Sequence, residues 1–181
     1  GAGQLGMVTQ IYEGGASVSP FGFVEGFKIG ERVYASDIGM SIPVGEGLLG
    51  RVVDPFMRPK DGKGPIFSTE RVPIMKAPID AMKRGLIDEP FSVGVKAIDG
   101  LLTCGKGQKL GIFAGSGVGK STLLGMIARN SDADVNVVAL IGERGREVKE
   151  FIEDALGPEG MKKSVLVCAT GDQPPLIRQK S

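Results

Sequence analysis

The chain has 181 residues, and a prior of about 150 residues per domain suggests one domain or two small ones. Its 22 Lys and Arg nearly balance its 21 Asp and Glu, which argues against a domain that binds nucleic acid through bulk positive charge. It has no histidine and only two cysteines, which excludes the commonest general base and a zinc site made of these residues. No apolar run approaches the roughly 20 residues of a membrane-spanning helix, so we expect no such helix.

Short apolar runs separated by Gly, Pro or Asp fill the first part of the chain. Strands that recur about every 8–12 residues with such breaks are typical of a small barrel or sandwich. The predicted strands are 7–12, 17–23, 31–35, 40–44 and 48–54. They are too few to close a barrel, so we expect residues 1–70 to form part of an N-terminal β-barrel and its connection to a second domain.

The pattern changes after residue 92, where apolar strands begin to alternate with helices. Such alternation with nearly continuous apolar strands predicts a parallel sheet that is covered by helices on both faces. Ser92 is a plausible N-cap for the first of these helices. The predicted elements that follow are strand 109–113, helix 120–129, strand 135–141, helix 144–156, strand 164–169 and a helix that starts after 174.

A glycine-rich loop lies between predicted strand 109–113 and the helix that follows it. Its end, Gly119-Lys120-Ser121, matches the phosphate-loop pattern, although Ala114 stands where the strict pattern has glycine. Glycines let successive N–H groups approach phosphate oxygens, and the helix N-terminus adds its dipole. We expect Lys120 to reach the phosphates and the Ser121 hydroxyl to bind Mg²⁺. The predicted nucleotide-binding residues are Gly115, Ser116, Gly117, Val118, Gly119, Lys120, Ser121 and Thr122.

A carboxylate, Glu143, follows predicted strand 135–141 at the sheet edge where ligands bind in open parallel sheets. A carboxylate there can hold and polarise a water in line with the terminal phosphate. The residues also allow a purely structural role for Glu143 and Glu147, because negative charges stabilise the first turn of a helix. Two roles are open for the neighbouring Arg144. It either contacts phosphate or an interface, or it lies on a helix face that is exposed to solvent.

The chain resembles the hexameric rotary-type ATPases, and within them the type III protein-export ATPases of the flagellum and of virulence secretion. Segments 110–121 and 140–149 carry most of the resemblance, which runs from about residue 17 to the end of the chain. Further matching segments are 50–54, 61–64, 94–99 and 105–108. The resemblance implies an α/β fold in which an incomplete RecA-like phosphate-loop sheet, the N-terminal half of an ATPase core over 71–181, follows a partial small β-barrel.

The resemblance also implies an activity, the hydrolysis of ATP with Mg²⁺ to energise flagellar or type III protein export. Lys120 would contact the phosphates, Ser121 would bind Mg²⁺, Glu143 would activate the attacking water, and Arg144 would lie in the same catalytic network. The adenine-contacting wall, a further metal-organising Asp and the arginine finger of a neighbouring subunit would fall beyond Ser181. We therefore expect this chain to be a fragment that is inactive by itself.

The implied partners are those of a full-length homo-hexamer at the inner face of the bacterial membrane. They are an export-apparatus regulator, stalk and gate proteins, and chaperone–substrate complexes, with no nucleic acid. The alternatives are a subunit of an F- or V-type rotary ATPase, including a non-catalytic one, and a virulence-type rather than a flagellar enzyme. An RNA-dependent helicase of the same core ranks last, because Phe21 and Phe23 lack the basic cluster of a nucleic-acid platform.

Overall fold

The computed structural model describes residues 3–23, 25–37, 39–115 and 117–181. The strands in this part of the chain are β1 (Gly6–Tyr12), β2 (Gly15–Pro20), β3 (Ser41–Val44), β4 (Arg51–Val53), β5 (Glu70–Pro73), β6 (Pro90–Phe91), β7 (Cys104–Gly105), β8 (Asn136–Ile141) and β9 (Ser164–Ala169). The α-helices are α1 (Lys96–Leu101), α2 (Lys120–Asn130), α3 (Gly145–Glu150), α4 (Gly157–Lys162) and α5 (Pro175–Lys180). A π-helical turn, Phe151–Leu156, continues α3. Among the described residues, no helix is both long and apolar enough to cross a bilayer.

The N-terminal region contains two separate antiparallel pairs, β1 with β2 and β3 with β5, and the described residues form no closed barrel. The strand predicted at 31–35 is wrong, because these residues form no strand. Val33 and Tyr34 have exposed fractions of 80% and 75%, so no neighbouring surface buries an apolar face there. A strand without a paired neighbour or a buried face has little to stabilise it.

The predicted parallel sheet is confirmed, with the order β4–β9–β8. β9 lies in the middle, and Leu166 on it is opposite Val52 on one side and Val138 on the other. The edge strand β4 is therefore part of the core sheet, whereas the sequence pattern placed its residues, 48–54, among the barrel strands. A short apolar run does not reveal which sheet it joins, and here Val52 packs against the core while Val53 is fully buried.

The strand predicted at 109–113 is also wrong, because the described part of the chain places no strand beside these residues. Leu110 and Phe113 have exposed fractions of 54% and 96%. Backbone N–H and C=O groups form a strand only when a neighbouring strand accepts and donates their hydrogen bonds. The apolar composition of 109–113 therefore does not suffice to make a strand.

The hydrophobic core lies between the sheet and the layer formed by α2, α3 and the π-helical turn. Val138 and Leu140 on β8 face this core, whereas Val137 beside them is 73% exposed. Among the described residues, β8 is thus covered on one face, in contrast to the expected cover on both. Burial raises the pKa of the Cys168 thiol on β9 to about 11, as expected for a cysteine that fills apolar space.

The predicted helix after the glycine-rich loop is confirmed as α2, and strands β8 and β9 are confirmed to within one residue. Ser92, in contrast, does not cap α1, which begins after Val95. The Ser92 hydroxyl instead donates a 3.0 Å hydrogen bond to the carboxylate of Asp99, which also accepts the N–H groups of the two residues after Ser92. This carboxylate organises the turn that leads into α1.

An ion pair fixes the connection that follows β4. The guanidinium of Arg51 donates to both carboxylate oxygens of Asp61 at 2.7 and 3.1 Å, and the side chains are only 11% and 6% exposed. The carboxylate also accepts the backbone N–H groups of Val52 and Lys63. The hydrogen bond from Arg51 holds the pKa of Asp61 well below its usual range. The connection is thereby attached to the edge of the core sheet.

Candidate functional site

The carboxyl ends of β8 and β9 lie side by side and define the edge at which Glu143 is placed. The N–H of Gly142 donates to the carbonyl of Ala169 at 2.7 Å, and the N–H of Gly171 donates to the carbonyl of Glu143 at 3.0 Å. Gly142 has a φ of 78°, a left-handed conformation that glycine adopts without strain. The backbone of Glu143 is therefore held between two strand ends, independently of its side chain.

The glycine-rich loop leads directly into α2. Gly119 has a φ of 97° and precedes the helix, and its carbonyl accepts the N–H of Leu123 at 2.9 Å. Gly117 also has a positive φ, 75°, so the observed turn favours glycine at both positions. The first N–H groups of a helix have no partner within the helix, which suits them to an anion. Ser116, one of the predicted phosphate-binding residues, lies outside the described residues.

One cavity of about 480 Å³ brings the glycine-rich loop and Glu143 together. It is lined by Gly115, Gly117, Gly119, Lys120, Ser121, Thr122, Arg129, Glu143, Glu147, Glu150, Phe151, Asp154 and Ala155. A second cavity of about 220 Å³ shares Lys120, Ser121, Glu143 and Glu147 with the first. The two cavities also share Phe151, and the remaining lining of the second is apolar and comes from Leu110, Ile112, Leu124 and Leu140. The structure thus gathers most of the predicted site residues, while Val118 is 67% exposed and is outside both linings.

The side chain of Arg144 is exposed. Among the described residues that line the two cavities, Glu143 and Glu147 are present and Arg144 is not. Arg144 precedes α3, and its backbone N–H donates to the carboxylate of Glu147 at 3.3 Å. This hydrogen bond, followed by one with the Glu143 side chain, lowers the pKa of Glu147. Arg144 therefore contributes to the site through its backbone.

The sequence pattern missed the far wall of the larger cavity, which Arg129, Glu150, Phe151, Asp154 and Ala155 form. A signal for the acidic part of this wall was present. From Glu143 onward, carboxylates recur every three or four residues, at 147, 150 and 154, and this spacing places side chains on one helix face. Arg129 gave no such signal, because it reaches the cavity from another helix.

The donor set of the site fits Mg²⁺ that is bound together with phosphate. The Ser121 hydroxyl and the Glu143 and Glu147 carboxylates line the same cavity, and oxygen atoms are the ligands that Mg²⁺ prefers. No group of three or more His, Cys, Asp or Glu that could hold a metal by itself occurs among the described residues. A magnesium ion at Ser121 would therefore need phosphate oxygens and water to complete its ligands.

Comparison with known proteins gives consistent matches. Residues 94–181 match the model of the ATP synthase alpha/beta family, nucleotide-binding domain. A flagellum-specific ATP synthase of Helicobacter pylori is 54% identical over 97% of this chain and 40% of its own length. A type 3 secretion system ATPase of Xanthomonas euvesicatoria is 50% identical over 92% of this chain and 38% of its own length.

Two solved structures of the assembled ATPase EscN from the enteropathogenic E. coli type III secretion system share the fold of this chain. One has a TM-score of 0.88 and 46% identity, and it covers 99% of this chain and 43% of the EscN chain. The other, EscN in complex with its central stalk EscO, has a TM-score of 0.88 and 48% identity, and covers 98% of this chain and 44% of its own. The chain thus spans about 40% of the length of the curated relatives named above.

Proposed function

Because this chain belongs to the ATP synthase alpha/beta family, we propose that it carries the phosphate-binding and water-activating part of an ATPase that energises flagellar or type III protein export. The strongest support is the larger cavity, which the glycine-rich loop lines together with Glu143. Relatives of both the flagellar and the virulence kind match at similar identity, so the proposal covers both. The division into a partial barrel with its connection, 1–70, and a core part, 71–181, belongs to the same proposal. Strand β4 of the first part joins the core sheet by pairing with β9 of the second.

The proposal gives each site residue one role. The loop N–H groups and the Lys120 ammonium bind the phosphates of ATP, and the Ser121 hydroxyl is one ligand of Mg²⁺. The bound ion would neutralise charge on the phosphate oxygens. Glu143 holds the attacking water in line with the terminal phosphate and accepts its proton. Arg144 supports this arrangement by the backbone hydrogen bond that orients Glu147.

The relatives support part of the proposed set of partners. The EscN structures are of an assembled ATPase and of its complex with the stalk protein EscO, which supports a homo-hexamer with a stalk for the full-length protein. An export-apparatus regulator, gate proteins and chaperone–substrate complexes complete the proposed set. The proposed location is the cytoplasm, at the inner face of the bacterial membrane.

Replacement of Lys120 by alanine tests the proposal. We expect Mg-ATP to bind about 10- to 100-fold more weakly, because charge-assisted hydrogen bonds to the phosphates are lost. Calorimetry on an ATPase that has the length of the matched relatives and carries this sequence would measure the change. Lys162→Ala is the matched control, since Lys162 pairs with Glu159 on the exposed side of α4. Unchanged binding in Lys120→Ala, with an unchanged melting temperature, would contradict the proposal.

The isolated 181 residues are expected to hydrolyse ATP at a negligible rate. They supply the phosphate end of the site, whereas the resemblance places the arginine finger and the adenine wall elsewhere. Arginine fingers contribute about 10³–10⁵ in rate. A steady-state phosphate-release assay that compares this chain with an enzyme of the relatives' full length would measure the difference. Equal rates per site would show that these residues already form a complete active centre.

A further inference from the structure

The helix that follows Glu143 contains an irregular turn at its point of contact with α2. Residues Phe151–Leu156 form a π-helical turn, a rare geometry that is frequent at functional sites. Its carbonyls at Asp154 and Ala155 both accept hydrogen bonds from the Nη1 atom of Arg129 on α2, and the bond to Asp154 is 3.2 Å long. Arg129 therefore joins the helix of the phosphate loop to the helix of the carboxylates.

The same turn is in close contact with α2 one helical turn earlier. A Cβ atom on Gly125 would lie 2.5 Å from the carbonyl oxygen of Ala155 and 2.6 Å from its Cβ, so only glycine fits. Gly125 and Arg129 are four residues apart and lie on one face of α2. Both residues contact Ala155. Gly125 does so through the close approach of its backbone, and Arg129 through a hydrogen bond to the Ala155 carbonyl.

This contact connects the two halves of the proposed site. Lys120 and Ser121 begin α2, whereas Glu143 and Glu147 lie at the start of the segment that runs through α3 into the π-helical turn. Arg129 lines the cavity that contains all four residues. The spacing between the phosphate-binding groups and the carboxylates thus depends on how α2 is held against the turn.

We infer that Arg129 is a positioning residue for the reaction proposed above. Its hydrogen bonds to the carbonyls of Asp154 and Ala155 fix the distance between the helix of Lys120 and the helix that follows Glu143. Arg129 is itself exposed, so its contribution to global stability is small. Its removal lets α2, and with it the bound phosphate, shift relative to Glu143, whose backbone is anchored at the strand ends. Misplacement by about 1 Å costs on the order of 100-fold in rate. The inference rests on the proposed function.

The test uses an ATPase of the relatives' full length that carries this sequence. We expect Arg129→Met to lower kcat by at least about tenfold, while the Kd for Mg-ATP changes less than about twofold, because the phosphate loop is intact. Arg129→Lys should recover most of kcat, since an ammonium group still donates to the carbonyls. Arg84→Met is the matched control with unchanged kcat, because Arg84 also donates to a carbonyl, that of Ile79, away from the cavity.

Gly125→Ala tests the same contact from a second side and leaves Arg129 in place. The added Cβ pushes α2 away from Ala155, and kcat should again fall with Mg-ATP binding retained. An unchanged kcat in both Arg129→Met and Gly125→Ala, in folded proteins by their melting temperatures, would overturn the inference. A loss of kcat in Arg129→Met that Arg129→Lys does not recover would also overturn it. These outcomes differ from a failure of the proposed function, because in that case Lys120→Ala would leave Mg-ATP binding unchanged.

Discussion

Replacement of Glu143 by glutamine is expected to lower kcat for ATP hydrolysis by about 10²–10⁴-fold and to leave Mg-ATP binding intact. The amide has nearly the shape of the carboxylate but cannot accept the proton of the attacking water. The backbone of residue 143 stays in place, because its carbonyl accepts the N–H of Gly171 and the N–H of Gly142 anchors the turn before it. The loss is therefore confined to the chemical step.

The measurement is a phosphate-release assay with a parallel binding titration, in an ATPase of the relatives' length. Glu153→Gln is the matched control with unchanged kcat, since Glu153 is exposed, pairs with Lys149 and is outside both cavities. Full activity in Glu143→Gln would mean that this carboxylate serves the start of α3 rather than the reaction. Loss of Mg-ATP binding in this variant would contradict the separation of the phosphate-binding and water-activating roles.

The second large effect concerns stability. Leu166→Ala should lower the free energy of unfolding of the chain by about 3 kcal/mol, within the range of roughly 2–5 kcal/mol for buried leucines. Leu166 is 0% exposed and lies on the middle strand, β9, where strands on both sides limit relaxation around the cavity that the variant leaves. Urea denaturation followed by circular dichroism measures the change.

Val137→Ala is the comparison for this variant. Val137 lies on the adjacent strand β8, opposite Val165, but it is 73% exposed. Its truncation removes little buried area, so we expect a change of less than about 0.5 kcal/mol. Similar losses for the two variants would show that both faces of β8 are buried, as the sequence pattern predicted, and would contradict the exposure seen in the structure.

The sequence pattern predicted those core elements that can be identified from their own residues. α2 follows a glycine-rich loop, and β8 and β9 are apolar runs with breaks on both sides, so each could be placed from its own residues. The strands that were misjudged depend on a partner. Residues 109–113 are apolar without a strand beside them among the described residues, whereas Arg51–Val53 joins β9, far away in the chain. Strand composition alone does not encode the partner.

The same distinction applies to the candidate site. The loop residues that line the larger cavity, among them Gly119, Lys120 and Ser121, could be identified in advance because they are close together in sequence and match the phosphate-loop pattern. Arg129 was not predictable, because its place is set by the contact of α2 with the π-helical turn. No particular residue type marks the change from α-helical to π-helical geometry, so the sequence does not reveal it.

The pairing of β4 with β9 has a consequence for biosynthesis. A nascent chain leaves the ribosome N-terminus first, so Arg51–Val53 emerges long before its partner, Val165–Val167. Until then the side chain of Val53, fully buried in the native fold, stays accessible to water or to chaperones. The hairpin of β1 and β2 can form at once from neighbouring residues, whereas closure of the core sheet awaits the emergence of β9. Formation of the core sheet, and with it the edge that holds Glu143, is a late event in the synthesis of these residues.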